Sequence, residues 1–188
     1  MSSEVWRKTR ETEVHVKLNL YGMGEVEVDV EPRFLKHMVE TLARHAGFDL
    51  YLRARGDLRH HVVEDVAVCL GEALNKALGD RSGINRFGHA IVPMDECLAY
   101  ASVDLVRRPW VRVDLKLSSE MVEDVAASEI THFLETLVKS MEATVHLWVE
   151  YGTDDHHKVE AAFKALAVAL RQAVSKRPGL VPSVKGVV

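Results

Sequence analysis

The stretch His60-His61-Val62-Val63-Glu64 recurs 96 positions later as His156-His157-Lys158-Val159-Glu160. Upstream of it, residues 37–42 (HMVETL) recur as residues 132–137 (HFLETL), at an offset of 95. The two motifs start 23 residues apart in the first copy and 24 residues apart in the second. Two motifs repeated in the same order and at nearly the same spacing indicate that the chain consists of two similar halves.

Alternating polar and apolar residues predict the strands of each half. In the first half they cover residues 13–20 and 26–30, which Gly22-Met23-Gly24 would join in a hairpin, and residues 48–53 form a further strand. The second half has corresponding stretches at residues 98–106, 111–117 and 143–151. One face of each strand is therefore expected to lie on the core.

Apolar residues at positions i, i+3 and i+4 predict two helices in each half. The first helix begins at Pro32 and ends at Gly47, and the second runs from about residue 61 to residue 78, with Gly79 as its C-cap. The helices of the second half are predicted at residues 127–140 and 157–175.

These elements predict an α+β fold made of two ββαβα-like halves, each a sheet covered by helices on one face, packed around a pseudo-twofold axis. The first half-repeat is expected at residues 1–85 and the second at residues 86–176. Residues 177–188 are expected to form a C-terminal tail that becomes ordered when ligand binds.

Composition narrows the range of functions. The 188 residues carry 24 Lys and Arg against 28 Asp and Glu, a net charge of −4, which disfavours nucleic acid and anionic membranes as partners. The sequence has neither a signal peptide nor a membrane-spanning stretch, which predicts a cytoplasmic protein. Cys69 and Cys97 lie in apolar surroundings and are predicted to be buried, reduced thiols.

Histidine is the residue in excess, with ten in 188. In each repeated motif, helical spacing places the glutamate on the same face as both histidines. Neighbouring helical side chains diverge by about 100°, so each histidine of a pair is expected to serve a different metal ion. With His37 and His132, the six imidazoles and two carboxylates form two equivalent sets, which favours an octahedral Mn, Fe, Co or Ni ion over a structural zinc. The alternative to a metal site is that the repeated histidines and glutamates are solvated polar residues at the start of a helix.

Five segments together resemble the imidazoleglycerol-phosphate dehydratases of histidine biosynthesis in sequence, order and spacing. They are residues 60–65 (HHVVED), 83–88 (GINRFG), 93–96 (PMDE), 108–110 (RPW) and 156–161 (HHKVEA). The resemblance extends over nearly the whole chain, from residue 11 to residue 186.

The resemblance implies a hydro-lyase that converts D-erythro-imidazoleglycerol phosphate to imidazole acetol phosphate and water. Two Mn(II) ions per active site would hold the imidazole of this small-molecule substrate as an imidazolate and make a diazafulvene-like intermediate accessible. It also implies a homo-oligomer of twenty-four subunits with metals bound between neighbours. The metal ligands that it implies are His37, His60, His61, Glu64, His132, His156, His157 and Glu160.

Further site residues follow from the same resemblance. Those implied to bind the substrate phosphate are Arg86, Arg108, Lys164, Ser183 and Lys185. Those implied to be catalytic are Glu11, Asp95 and Glu160, of which the last is also a metal ligand.

The chain departs from the family's pattern at several positions, although all the implied metal ligands are present. Leu58-Arg59 replaces a common acidic pair before the first histidine pair, and the loop there is short. Lys36 replaces an acidic residue, and Thr41 replaces a glutamine that often contacts the phosphate.

Two other functions fit the same residues. A dinuclear metallohydrolase acting on a phosphorylated small molecule could use the same ligands to hold a metal-bound hydroxide. A non-catalytic, metal-stabilised shell protein could use the histidines structurally, although that function leaves the arginines and the tail lysine unexplained.

Overall fold

The computed structural model describes residues 1–177, which contain two four-stranded sheets, a short two-stranded one and four helices. The first half comprises β1 (Ser2–Lys8), β2 (Thr12–Asn19), β3 (Val26–Asp29), α1 (Arg33–Ala46), β4 (Asp49–Gly56) and α2 (Arg59–Leu78). The second half comprises β5 (Phe87–Met94), β6 (Cys97–Asp104), β7 (Trp110–Asp114), β8 (Met121–Val122), β9 (Val125–Ala126), α3 (Ala127–Met141), β10 (Thr144–Tyr151) and α4 (Asp155–Val174). No helix in this part of the chain has the length and apolarity needed to cross a membrane.

The two four-stranded sheets have the same topology. Their strand orders are β1-β2-β4-β3 and β5-β6-β10-β7. In each sheet the first two neighbouring pairs are antiparallel and the last pair is parallel. Equivalent strands thus occupy equivalent places, and the α+β fold with duplicated halves is confirmed.

The strand pairing differs from the sequence prediction in one respect. The hairpin predicted from residues 13–20 and 26–30 is wrong, because β4 lies between β2 and β3. The hairpin partner of β2 is β1, a strand that the sequence analysis did not predict, and β5 is the corresponding additional strand of the second half. Alternation of polar and apolar residues predicts where a strand lies, but it does not predict which strand pairs with it.

The halves meet through their helices. Each sheet carries helices of its own half on one face, with α2 on β1 and β2, and α4 on β5 and β6. Across the boundary α2 packs against α3, and α1 packs against α4. Because each contact joins the first helix of one half to the second helix of the other, the repeated motifs of different halves become neighbours.

Both ends of α1 are defined by local chemistry. At its start the amides of Arg33 and Phe34 donate to the carboxylate of Asp124 from the second half, at 2.8 and 3.0 Å. At its end Gly47 has a φ of +72°, and its amide donates back to the carbonyls of Ala43 and Arg44. That left-handed conformation favours glycine, so the helix stops where the sequence predicts.

Cys69 and Cys97 are both free and buried, as predicted. Burial raises the pKa of Cys69 to about 12. Burial and the neighbouring carboxylate of Glu96 raise the pKa of Cys97 to about 11. Since the thiolate is the reactive form, both thiols are expected to be inert at neutral pH.

Gly71 lies where α2 crosses α3 and allows the two helices to approach closely. A Cβ atom at this position would lie 2.5 Å from Cβ of Ser140 and 2.6 Å from the carbonyl oxygen of Leu137. Gly71→Ala should therefore lower the free energy of unfolding by about 1–2 kcal/mol, although alanine favours an isolated helix. Urea unfolding of the metal-free protein measures this, with the exposed Lys76→Ala as control, and an increase in stability would contradict the close packing.

Candidate active site

The first cluster of metal-ligating side chains joins α1 of one half to α4 of the other. Nε2 of His37 lies 3.2 Å from Oε2 of Glu160, and Nε2 of His156 lies 3.3 Å from the same oxygen. One ligand atom from each of these three residues falls within 4.8 Å of the others, a separation that could accommodate a shared metal ion. We call His37, His156 and Glu160 the α1–α4 triad.

The equivalent cluster joins α3 to α2. Nε2 of His132 lies 3.9 Å from Oε1 of Glu64, and Nε2 of His60 lies 3.8 Å from Oε2 of the same residue. The rings of His60 and His132 are stacked with their centroids 6.1 Å apart. We call His60, His132 and Glu64 the α2–α3 triad, which is the counterpart of the first triad with the two halves exchanged.

The second histidine of each pair faces a different set of carboxylates. Nδ1 of His61 lies 2.8 Å from Oδ1 of Asp57 and 3.8 Å from Oε2 of Glu11. In the other half His157 faces the turn between β5 and β6, with its Nδ1 2.8 Å from Oε2 of Glu96 and its Nε2 3.6 Å from Oδ2 of Asp95. We call His61 and His157 the outer histidines. Glu11, in the β1–β2 turn, and Asp95, in the β5–β6 turn, therefore occupy corresponding places.

The Nδ1 atoms of the paired histidines lie beside four carboxylates to which the sequence analysis gave no role. Besides Asp57 and Glu96, Glu123 lies 3.1 Å from Nδ1 of His156, and Glu129 lies 3.6 Å from Nδ1 of His60. Only Asp57 was recognisable from spacing, since it precedes His61 by four residues. Glu96, Glu123 and Glu129 are brought to their histidines by tertiary packing.

Contacts among these side chains shift the pKa values of the two outer histidines and of Glu160. The hydrogen bond that Asp57 accepts from His61 raises the pKa of His61, and the one that Glu96 accepts from His157 raises the pKa of His157. Burial raises the pKa of Glu160, but hydrogen bonds from Lys164 and His37 outweigh it and bring the pKa to about 2. Glu160 is thus ionised at neutral pH, as a metal-ligating carboxylate must be.

The described cationic residues implied to bind phosphate lie in two different regions. Nζ of Lys164 is 2.8 Å from Oε1 of Glu160, one helical turn along α4, and so lies beside the α1–α4 triad. Arg86 forms a two-pronged ion pair with Asp104, and its amide donates to the carbonyl of Ala173 near the end of α4. That end lies roughly 25 Å along the helix from His156.

Arg108 lies in the same region as Arg86. Its carbonyl accepts a hydrogen bond from Thr144, the first residue of β10, which runs from there toward the start of α4. Within one chain, the fold therefore does not bring Arg86 and Arg108 to the histidine clusters. Ser183 and Lys185 lie outside the described residues.

Comparison with known proteins shows the family to which the chain belongs. The family model for imidazoleglycerol-phosphate dehydratase matches residues 31–170. The chain belongs to this family. Membership makes the protein a hydro-lyase, as the sequence analysis predicts, and disfavours the non-catalytic alternative.

Curated relatives cover nearly the full length of this dehydratase chain. It is 49% identical to the imidazoleglycerol-phosphate dehydratase of Methanothermobacter thermautotrophicus, over 96% of this chain and 94% of the relative. It is 48% identical to that of Caldivirga maquilingensis, over 99% of this chain and 98% of the relative. Both matches thus cover more than nine tenths of the relative.

Solved structures of the family share the fold. The imidazoleglycerol-phosphate dehydratase of Pyrococcus furiosus superposes with a TM-score of 0.84 at 37% identity, covering 98% of this chain and all of that one. The Staphylococcus aureus protein superposes with a TM-score of 0.86 at 29% identity, covering 94% and 99%.

The donor atoms of this dehydratase chain fit a hard or borderline divalent metal ion. Each triad offers two imidazole nitrogens and one carboxylate oxygen, and no cysteine lies in either triad. Such a mixed N/O set suits Mn(II) and related octahedral ions, and three ligands leave positions for substrate or a further protein ligand.

Proposed function

We propose that the chain dehydrates D-erythro-imidazoleglycerol phosphate to imidazole acetol phosphate, using two Mn(II) ions per active site. The observation that carries the proposal is the pair of equivalent triads, each with two histidines and one glutamate, in a chain of the dehydratase family. Two metal ions would supply positive charge to the substrate's imidazole ring, held as an imidazolate, so that water leaves through a diazafulvene-like intermediate.

We assign the chain's own residues to metal binding and proton transfer as follows. The two triads and the outer histidines would bind metal, with Glu160 acting as a ligand, because a carboxylate with a pKa of about 2 is a weak base near neutral pH. Glu11 and Asp95, beside the outer histidines, are then the groups placed to move protons.

The distance between the clusters and the arginines supports assembly. A phosphate bound by Arg86 and Arg108 cannot also lie near the triads of the same chain, since roughly 25 Å of α4 separates His156 from the end near Arg86. A second copy of the chain would bring its arginines to these triads. We therefore propose a homo-oligomer, with twenty-four subunits as in the family, whose sites lie between copies, with Ser183 and Lys185 completing the phosphate site.

One experiment distinguishes this function from the alternatives. Protein stripped with a chelator should be inactive toward imidazoleglycerol phosphate, and Mn(II) should restore formation of imidazole acetol phosphate. The same reaction mixture is analysed for inorganic phosphate, because a metallohydrolase would release it and a dehydratase would not. A metal-loaded, assembled protein that forms neither product would contradict the proposed function and favour a structural role.

A further inference from the structure

The two oxygens of Glu96 have different partners. Oε1 accepts the amides of Thr153 and Asp154, at 3.1 and 2.8 Å, together with the hydroxyl of Thr153 and the thiol of Cys97. Oε2 faces Nδ1 of His157 at 2.8 Å. Oε1 thus anchors the loop before α4, and Oε2 accepts a hydrogen bond from the outer histidine of the second half.

A carboxylate can only accept hydrogen bonds, so the partner on Oε2 must carry the proton. A neutral His157 is then protonated at Nδ1 and presents the lone pair of Nε2 on the other side of the ring. The same orientation recurs at the other paired histidines, whose Nδ1 atoms face Asp57, Glu123 and Glu129. Carboxylates that accept from a histidine in this way commonly orient it for a metal.

We infer that Glu96 is a positioning residue, which fixes His157 in the tautomer that leaves Nε2 available as a metal ligand. Asp57 has the same role for His61. The inference rests on the proposed function for the identity of the metal, and on the geometry of Glu96 for the tautomer. In the first half the orienting carboxylate comes from the short loop before α2, whereas in the second half it comes from the β5–β6 turn.

The variant Glu96→Gln should keep the hydrogen bonds to the loop before α4 but change the tautomer of His157. The two backbone amides on Oε1 require an oxygen there, so the glutamine carbonyl should take that place and turn its NH2 group toward Nδ1 of His157. Nδ1 must then accept, the proton moves to Nε2, and the lone pair needed by the metal is lost. The loop before α4 keeps its hydrogen bonds.

Asp57→Asn provides the matched control. Oδ1 of Asp57 accepts both from Nδ1 of His61 and from the amide of Leu58, at 2.8 and 2.7 Å. An asparagine carbonyl can replace this single oxygen and leave the tautomer of His61 unchanged. The same acid-to-amide change should thus have opposite consequences in the two halves.

Mn(II) binding and thermal unfolding of the two variants test the inference. In Mn(II) titrations of chelator-stripped protein followed by the EPR signal of free Mn(II), Glu96→Gln should weaken binding about tenfold or more, and Asp57→Asn should change it by less than about threefold. Thermal unfolding of the metal-free variants should show midpoints close to the parental one. Equal Mn(II) binding by Glu96→Gln and the parent, or equal losses in both variants, would overturn the role of Glu96.

The 15N spectrum of histidine-labelled, metal-free protein at pH 8.5 tests the tautomer without metal or substrate. The His157 signal, assigned by its loss in His157→Gln, should show an unprotonated Nε2 in the parent and an unprotonated Nδ1 in Glu96→Gln. A parental His157 protonated at Nε2 would overturn the inference even if Glu96→Gln fails to fold. A parent that binds no Mn(II) would instead overturn the proposed function.

Discussion

Replacing Glu160 by glutamine should lower dehydratase turnover by about 10²- to 10⁴-fold, a loss as large as that of an essential acid–base group. Among residues 1–177, Glu160 is the one carboxylate that contacts His37, His156 and Lys164 together. Its pKa of about 2 means that glutamine removes a full negative charge at assay pH. Loss of that charge weakens the α1–α4 triad as a cation site and leaves Lys164 without its carboxylate.

The measurement combines turnover with bound manganese per chain. Glu135→Gln is the control, because Glu135 pairs with Lys139 on the surface of α3 and contacts neither triad. We expect the control to keep parental turnover and metal content, and Glu160→Gln to lose both. Loss of turnover with full metal content would reassign Glu160 from ligand to proton carrier, and unchanged turnover would remove it from the site.

Local patterns in the sequence predict the helices and the duplication well. The helix that ends at Gly47 is found at Arg33–Ala46, because an apolar stripe and a left-handed C-cap are both properties of neighbouring residues. The repeated motifs likewise predict two equivalent sheets. In contrast, the predicted hairpin fails because pairing β2 with β4 rather than β3 depends on residues that lie 30 to 44 positions apart in the sequence, from Asn19 with Asp49 to Thr12 with Gly56.

In the candidate site, too, local patterns are predictable from the sequence and contacts between distant residues are not. Spacing within His60–Glu64 and within His156–Glu160 places each glutamate near its own histidine, and the structure agrees. Spacing does not show that His37 joins the motif of the second half and His132 that of the first, because helix packing across the halves decides it. The resemblance supplies Arg86 and Arg108, but only the fold shows how far they lie from the triads.

Residues 79–83 form the connector between the two halves, and Arg81 should contribute more to stability than Asp80, the other charged residue of this connector. Its side chain is fully buried, and its guanidinium donates to the carbonyls of Met141 and Glu142 at the end of α3, at 2.8 and 2.7 Å, and to Oδ1 of Asn75 at 2.8 Å. One side chain thus ties the end of α2 and the connector to the end of α3. Carbonyls at a helix end have no partner within the helix, so Arg81 satisfies groups that burial would otherwise leave costly.

Arg81→Met should therefore lower the free energy of unfolding by about 2–4 kcal/mol, because buried acceptors lose their donors while most of the side-chain volume is kept. Arg81 also has a φ of +63°, a left-handed conformation that methionine would retain without the compensating hydrogen bonds. Arg107→Met is the matched control, since Arg107 donates to the carbonyl of Gly79 in the same connector from an exposed position. Urea unfolding of the chelator-treated proteins compares the two, and equal midpoints for Arg81→Met and the parent would show that the buried hydrogen bonds of Arg81 do not hold the halves together.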